Sequence, residues 1–456
     1  MKMKMRFTVS LLTATVVCSS VFGAEAEEKK TDAMDAKKAE FKQAAPQAVP
    51  AESEEFKWGG DFRFRAIYFD HIPYAAGPAE ARGGANSFQR YRTRIFGEYH
   101  PNENLYFRGR LVNEFRTYQD ASHPSTGKAW SAMDETVFDN LFVDYKHDKF
   151  DVRVGRQDLI YGTGKLILDG TPLDGSRTIY FDAAKVVYKG IDDTTVDFLA
   201  MYTESHDPLA IHSQDRSLVG YTPGYDGVEA GGAVYIKNKS TEDLPWEGYF
   251  ITKTKQQLFP TAQEIEDPIN TVGTRLMPKW ADGAFDGNLE VAYQSTPGTD
   301  AFMVDALVNW NIMEEQNGKL GLGWYHLSED WNPVFARWPQ YSELYVYSYD
   351  TTGAGQWKNI SMPHIDFSIS PMKNYKADFL LGYMMAPEDD GPGTGNIRGL
   401  LFTWWNKFTL KEKMLSDRDK LTGHVLFELM QPGSYYTSAQ RDNTATFLRF
   451  ELNYAF

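Results

Sequence analysis

Residues 90–99 (RYRTRIFGEY) decide the fold, because polar and apolar side chains alternate along them. Tyr91, Ile95 and Tyr99 share one face, and the other face carries the basic side chains Arg90, Arg92 and Arg94. A period of two over a stretch of this length predicts a β-strand. Such a strand is long for a globular protein and matches a tilted strand that spans a membrane.

The segments 61–69 (DFRFRAIYF) and 105–116 (LYFRGRLVNEFR) repeat this alternation on either side. One face of each is aromatic or aliphatic, and Phe62 and Phe107 are examples. An arginine that faces lipid near the bilayer midplane costs roughly 2–4 kcal/mol, so the arginine face is predicted to line the lumen of a barrel. The arginines on this face, called the arginine wall below, are Arg63, Arg65, Arg90, Arg92, Arg94, Arg108, Arg110 and Arg116.

The arginine wall is predicted to be continuous, because consecutive strands are neighbours in an up-and-down barrel. The planar guanidinium matches carboxylate and phosphate, and a ring or wall of arginines selects anions. Four of these residues lie mid-strand and are expected at one depth, halfway down the lumen: Arg92, Arg94, Arg108 and Arg110. Arg153 also follows the lumen parity of its segment, 150–157. Arg156 does not, so we expect it at the rim or beside a bulge at Gly155.

The alternative is that the arginines are salt-bridge partners that only fill the lumen. The first three segments supply Asp61, Glu98 and Glu114, which are too few to neutralise all the arginines. Other predicted strands offer further acids, namely Asp144, Asp197, Glu290 and Glu451. The sequence favours an anion pathway and leaves the structural interpretation open.

The lengths of the connections alternate along the chain, which predicts about 18 strands. Long segments at 70–88, 117–135, 158–179, 204–227, 255–270 and 328–357 alternate with turns at 100–104, 146–149, 189–193, 237–244, 280–288, 313–319 and 370–375. Bacterial outer-membrane barrels have short periplasmic turns and long external loops, and we assign the two sets accordingly. The connection at 295–300 is short for its side, so the strand boundaries near 286–312 stay open.

The N-terminus indicates export from the cytoplasm. Basic residues precede the short apolar stretch 7–22 and the small residues Ala24 and Ala26, which is the layout of a cleaved signal peptide over 1–26. A membrane anchor is the alternative. Cys18 is the single cysteine and lies inside this signal, so the mature chain has no disulfide. Residues 27–55 are rich in Ala, Lys and Glu and then Pro, which predicts a flexible periplasmic linker before a barrel at 56–456.

Composition excludes several other classes of protein. No later segment has the roughly 18 consecutive apolar residues that a membrane-spanning helix needs. Aromatic residues make up 14% of a chain that is polar on average, which suits strands that alternate between lipid and lumen. The net charge of −15 argues against nucleic-acid binding. We therefore predict an all-β fold, a transmembrane antiparallel up-and-down β-barrel.

The last predicted strand, 446–456 (TFLRFELNYAF), ends on Phe456 with Tyr454 two residues before it. This ending resembles the recognition signal of outer-membrane barrels. The resemblance implies insertion by the barrel assembly machinery into the outer membrane of a Gram-negative bacterium, in contact with lipid and lipopolysaccharide.

Residues 152–188 carry a family resemblance. Gly155-Arg156-Gln157, then Tyr161-Gly162, Arg177 and Phe181-Asp182 occur in an order similar to that of the alginate-export family of outer-membrane porins. The segments 331–344 (WNPVFARWPQYSEL) and 423–436 (GHVLFELMQPGSYY) look similar too. The resemblance implies an 18-stranded monomeric barrel with an electropositive pore for an anionic polysaccharide. Its motif positions are Arg156, Gln157, Arg177 and Asp182, whose roles could be structural; Lys165 departs from the arginine that is frequent in the family.

No motif indicates an enzyme, a cofactor or a metal site. The histidines are scattered without metal-ligand spacing, and Asp389-Asp390-Gly391 lacks the spaced acids of a known calcium loop. The leading hypothesis is therefore a porin or exporter for anionic solutes, in particular an alginate-like polysaccharide. The alternatives are an uptake porin for small organic or sugar anions and a barrel enzyme or adhesin.

Overall fold

The computed structural model describes residues 56–73, 86–118, 135–168, 180–204, 209–213, 228–256, 267–296, 298–336, 341–344 and 358–456. Within these ranges the chain forms a closed antiparallel barrel of 18 long strands, as predicted, with almost no helix. None of the helices in these ranges has the length and apolar character needed to cross a membrane.

The barrel strands follow one another around the wall in chain order, and β1 pairs with β23 to close it. They are β1 (Phe56–Asp70), β2 (Asn86–Tyr99), β3 (Leu105–Tyr118), β4 (Glu135–Lys146), β5 (Phe150–Gln157), β8 (Phe181–Ile191), β9 (Thr194–Glu204), β11 (Val228–Asn238), β12 (Trp246–Gln256), β13 (Ile269–Leu276), β15 (Phe285–Thr296), β16 (Thr299–Ile312), β17 (Gly318–Leu327), β19 (Ile360–Met372), β20 (Tyr375–Met385), β21 (Ile397–Glu412), β22 (Lys420–Pro432) and β23 (Ala445–Ala455). Short strands complete the numbering: β6 (Ile160–Tyr161), β7 (Ile167–Leu168), β10 (Ala210–Ser213), β14 (Lys279–Trp280) and β18 (Phe335–Ala336).

The strands bury one face and expose the other, as the alternation predicts. On β9, Phe198 and Tyr202 are exposed, whereas Asp197 and Met201 are buried. Large apolar side chains stay exposed all around the outer face, which is the band that suits contact with lipid. The buried face therefore encloses the lumen.

The seam between β1 and β23 depends on a glycine. Gly60 exchanges two backbone hydrogen bonds of 3.0 Å with Phe456, and the Phe456 ring stacks 5.7 Å from the Phe62 ring. A Cβ atom at Gly60 would lie 2.3 Å from the carbonyl oxygen of Arg94 and 2.9 Å from the Phe456 ring. The missing side chain thus lets the C-terminal ring cover the seam.

Short and long connections lie at opposite ends of the barrel. The end that carries the turns at 100–104, 147–149, 192–193 and 373–374 also carries Phe56 and Phe456, and we call it the turn end; the other is the loop end. The turn predicted at 280–288 is narrower, since it spans 281–284 after the interruption between β13 and β14. Much of the predicted long segments, including 74–85, 119–134 and 214–227, lies outside the described residues.

Two predicted external loops enter the barrel instead. The first inward segment, 158–168, and the second inward segment, described at 331–336 and 341–344, bury Ile167, Phe335 and Leu344 completely. β7 pairs in parallel with β18, and the N–H of Phe335 donates to the carbonyl of Leu166 at 2.9 Å. Assigning these stretches to the exterior was wrong, because their apolar side chains pack in the core within the barrel.

Candidate functional site: an arginine-lined lumen narrowed by two inward segments

The arginine wall is built by strand register. Arg63 lies directly opposite Arg92 across β1 and β2, and Arg65 lies opposite Arg90. Arg90 is in turn opposite Arg116 on β3. Like charges this close destabilise a sheet unless acids lie between them. The paired strands therefore need carboxylates in the same wall to be stable, which is a demand for countercharge.

Two carboxylates meet this demand near the middle of the wall. Asp61 accepts from Arg94 Nε at 2.6 Å and from Arg92 Nη2 at 3.2 Å. Glu114 lies 3.1 Å from Arg90 Nη2 and 3.5 Å from Arg63 Nη2. All of these side chains are buried, so the charges are paired in a setting with little water.

The remaining members of the wall are paired as well. Arg65 contacts Glu451 at 2.5 Å, Arg116 lies 3.8 Å from Glu114, and Arg108 contacts Glu98. Arg110 binds Asp139 at 2.8 Å and Asp158 at 2.9 Å. Both interpretations of the arginines therefore have a basis. Each arginine has an acidic partner, and Asp61 and Glu114 each contact more than one arginine.

One expectation about depth was wrong. Arg92 lies opposite Glu114, but Arg108 lies opposite Glu98, next to Tyr99 at the turn end. The strands are staggered, so mid-strand positions of β2 and β3 do not share one level. Arg63 and Arg92 form the matched pair at one level, and Arg108 belongs to the mouth of the turn end.

Arg153 lies within the same lumen, where it binds Asp144 at 2.5 Å and the hydroxyl of Tyr106 at 2.8 Å. Arg156 follows Gly155, whose φ is 125°; the strand pairing continues through both residues without the expected bulge, and the Arg156 side chain is buried. It binds Asp182 through both Nε (2.8 Å) and Nη2 (3.0 Å), and its guanidinium lies 3.7 Å from the centre of the Tyr180 ring.

Gln157 adds to these contacts, because its side-chain amide donates to the carbonyl oxygens of Gly155 and Ala183. Arg156, Gln157 and Asp182 therefore join β5 to β8 where the first inward segment leaves the wall. Their geometry is that of a structural clamp. Arg177, the fourth motif position, lies outside the described residues.

The opposite side of the lumen carries a second group of buried acids. β15 lies halfway around the barrel from β2, and the strands β9, β12, β15 and β16 carry inward carboxylates, called the acidic wall below: Asp197, Glu247, Glu290 and Asp305. Tyrosines cover several of these groups. The hydroxyls of Tyr235 and Tyr249 donate to Glu247 (2.7 Å) and Glu290 (2.9 Å). Basic side chains pair with this wall as well, since Lys237 lies 3.1 Å from Asp197 and Arg275 lies 3.2 Å from Glu247.

The first inward segment packs on the acidic wall through alternate residues. Tyr161 donates to Asp197 at 2.7 Å, and Thr163 donates to Glu290 at 3.1 Å. The Lys165 ammonium lies 4.0 Å from Asp305 and 3.9 Å from the centre of the Tyr341 ring. Burial lowers the pKa of Lys165, and the nearby carboxylate of Asp305 opposes that shift.

The second inward segment crosses from the acidic wall towards β22 and β23. Tyr341 donates to Asp305 at 2.7 Å. The Ser342 hydroxyl (3.2 Å) and the Leu344 N–H (2.6 Å) donate to Glu428. Arg449 binds Glu343 at 3.1 Å. The two inward segments therefore narrow the lumen, and they contact the acidic wall as well as Arg110 and Arg449 on the other side.

Sequence reasoning missed several basic residues of the lumen, and Arg449, Lys165 and Lys253 are examples. Arg449 is fully buried on β23, on the same face as Glu451, so the parity rule applied to that strand could have found it. Lys165 carried no usable signal beyond its place in the motif, because its partner Asp305 is far away in the chain.

The described residues contain no group of three or more His, Cys, Asp or Glu side chains that could hold a metal ion. Asp390, which the sequence singled out, accepts from Asn359 Nδ2 (2.5 Å) and from the Tyr435 hydroxyl (2.8 Å). Its observed role is to tie connections together at the loop end.

Comparison with known proteins shows a likeness of fold. No protein-family model and no curated protein sequence matches the chain. OccAB4 of Acinetobacter baumannii superposes with a TM-score of 0.57 at 13% identity, covering 90% of this chain and 100% of that chain. OccK5 (OpdH) of Pseudomonas aeruginosa gives 0.55 at 11% identity, covering 88% and 98%.

OpdK of Pseudomonas aeruginosa, solved with vanillate, gives a TM-score of 0.57 at 12% identity, covering 88% of this chain and 98% of that chain. Another structure of OpdK is described as that of an outer membrane protein. At these identities the likeness concerns architecture, and it agrees with the closed 18-stranded barrel.

Proposed function

We propose that this chain is an outer-membrane porin that takes up small organic anions along the arginine wall. The observation that carries the proposal is the pairing of Arg63 with Arg92 and of Arg65 with Arg90 on the lumen face of β1 and β2. Guanidinium groups gathered on one wall of a pore create a positive field that favours a passing carboxylate. Low-dielectric walls focus this field, which raises the local concentration of anions.

The size of the solute distinguishes this proposal from export of an anionic polysaccharide, which the resemblance to the alginate-export family implies. The inward segments are held to the walls through Thr163, Lys165 and Ser342, and they leave less room for a polymer. The structural neighbour OpdK was solved with vanillate, a small aromatic carboxylate. Both observations favour small anions, and the polysaccharide is the second candidate.

The cellular setting follows from the same proposal. The mature chain would lie in the outer membrane of a Gram-negative bacterium after removal of residues 1–26, with 27–55 as a periplasmic linker. Lipid and lipopolysaccharide would contact the exposed aromatic band, and the barrel assembly machinery would insert the chain as a monomer. The transported solute is the remaining partner, and the proposal includes no catalysis, cofactor or nucleic acid.

Planar-bilayer recording under a salt gradient tests the proposal. We expect the wild-type channel to prefer anions. In the double variant Arg63→Gln, Arg92→Gln the anion-to-cation permeability ratio should fall roughly three- to tenfold, because both charges lie at one level of the lumen. The matched control is Tyr91→Leu with Phe107→Leu on the outer face, which should leave selectivity unchanged. A cation-selective wild type, or a double variant equal to it, contradicts the proposal.

Liposome swelling separates the two candidate solutes. Vanillate and glucuronate should enter vesicles that contain the channel, whereas long polyuronate chains should block current without crossing. Free passage of the polyuronate together with exclusion of the monomers would favour polysaccharide export instead.

A further inference from the structure

The acidic wall poses a problem for an anion channel. Asp197, Glu290 and Asp305 point into the same lumen as the arginine wall, and exposed carboxylates there would attract cations. All three are nearly inaccessible to solvent. The groups that cover these carboxylates therefore affect the charge selectivity of the lumen as much as the arginines do.

The first inward segment provides much of this cover. Its alternate side chains meet one carboxylate each, Tyr161 on Asp197, Thr163 on Glu290 and Lys165 on Asp305. The backbone approaches the wall closely at Gly162, where φ is 59° and a Cβ atom would lie 3.0 Å from the Tyr235 hydroxyl oxygen. A side chain at this position would both strain the turn and lift the segment from the acids.

Lys165 is the only basic residue of the first inward segment (DLIYGTGKLIL, 158–168). Its ammonium lies between the rings of Tyr341 (3.9 Å) and Tyr325 (4.4 Å), an arrangement that holds a cation through the ring faces. The carboxylates that act on it are Asp305, Glu290 and Asp366. Lys165 thus brings a positive charge into a group of three carboxylates, two of them on the acidic wall.

We propose that Lys165 is a selectivity-determining residue, which supplies countercharge and cover to Asp305 and Glu290 of the acidic wall, so that these two acids do not attract cations into the lumen. This inference rests on the proposed anion conduction. The inference differs from the proposed function because it places a determinant of selectivity on the first inward segment rather than on β1 to β3. Removing the ammonium leaves Asp305 and Glu290 without that countercharge, and the focused field then also attracts cations.

The test compares Lys165→Gln, Lys165→Arg and the control Lys319→Gln in planar bilayers under a salt gradient. Lys319 binds Asp286 at 2.6 Å near the turn end and has no contact with the inward segments among the described residues. We expect Lys165→Gln to lower the anion-to-cation permeability ratio roughly two- to fivefold, because one charge changes in a narrow low-dielectric passage. Lys165→Arg should retain the wild-type ratio, and Lys319→Gln should change it much less.

A second measurement needs no substitution. Because burial lowers the pKa of Lys165, its charge is lost as pH rises through that lowered value. Over the alkaline range below the ordinary pKa of lysine, the anion preference of the wild type should therefore fall more than that of Lys165→Arg, since arginine stays charged. The adjacent Tyr341 does not confound this range, because burial raises its pKa well above the usual value.

The outcomes separate the two proposals. An anion-selective wild type with an unchanged Lys165→Gln ratio and no alkaline fall overturns the role of Lys165 and leaves the proposed function standing. A cation-selective wild type overturns the proposed function itself. If Lys165→Gln fails to form a heat-modifiable barrel, the alkaline titration of the wild type against Lys165→Arg decides the matter.

Discussion

Each arginine of the arginine wall contacts an acid, and most of these guanidinium groups are buried. Glu114 illustrates the balance, because one buried carboxylate lies within 4.0 Å of Arg63, Arg90 and Arg116. This carboxylate fixes the geometry of the three arginines and at the same time weakens the positive field that they create. At the scale of residues, stability and selectivity therefore have opposite requirements.

Glu114→Gln tests this opposition. Removing one partner of a buried ion pair typically costs about 3–5 kcal/mol, so we expect the variant barrel to unfold at a lower temperature in a heat-modifiability assay. Anion preference in bilayers should rise, because the substitution removes one negative charge from the lumen wall. Glu412→Gln is the control, since its pair with Lys420 is well exposed. A variant that is as stable as wild type, with unchanged selectivity, would contradict this account of the wall.

At the scale of elements, the last strand does more than close the sheet. β23 contributes Arg449 and Glu451 to the lumen, and its end brings Phe456 over Gly60 and beside Phe62. The hydroxyl of Tyr454 donates to Asp419 at 2.8 Å, which ties the strand to the turn between β21 and β22. The same few residues thus stabilise the seam and carry the predicted assembly signal.

Deleting Phe456 separates these roles when it is compared with Gly60→Ala. If Phe456 is an assembly signal, its deletion should lower the amount of barrel in the outer membrane and raise periplasmic degradation products. Gly60→Ala should lower the stability of assembled barrel instead, because the new methyl group meets backbone at 2.3 Å. Normal assembly of the deleted chain, measured by heat-modifiable migration in membrane fractions, would show that Phe456 serves only the seam.

At the scale of the whole molecule, the closed barrel fixes which segments lie at the same end. Both described chain ends and the tight turns lie at the turn end, which the proposed function places in the periplasm. Ser342 is unsuited to report on the exterior, because it is buried and bound to Glu428. Ser438 at the loop end and Asn102 at the turn end are both exposed and provide a matched pair.

Cysteine labelling of intact cells with an impermeant maleimide tests the orientation. We expect Ser438→Cys to react and Asn102→Cys to react only after the outer membrane is opened. The opposite result would invert the barrel and with it the proposed direction of uptake.

The sequence by itself determined the elements and the faces of this protein. Alternation in 90–99 and 105–116 predicted the strands, and the cost of arginine in lipid placed Arg92 and Arg110 in the lumen, where they are buried. The tight turns predicted the topology. These inferences succeeded because each depends on a short-range property, namely the period of a strand, the length of a connection or the polarity of a face.

Only the tertiary structure decided which charges meet and where the inward segments lie. Arg65 binds Glu451 across 386 positions of the chain, and Thr163 reaches Glu290 across 127. The apolar residues Leu166, Ile167 and Leu168 were visible in the sequence, but three such residues do not say which wall they pack on. Pairings of this kind arise when the barrel closes, because closure brings strands from opposite ends of the sequence into register and leaves a cavity that the segments fill.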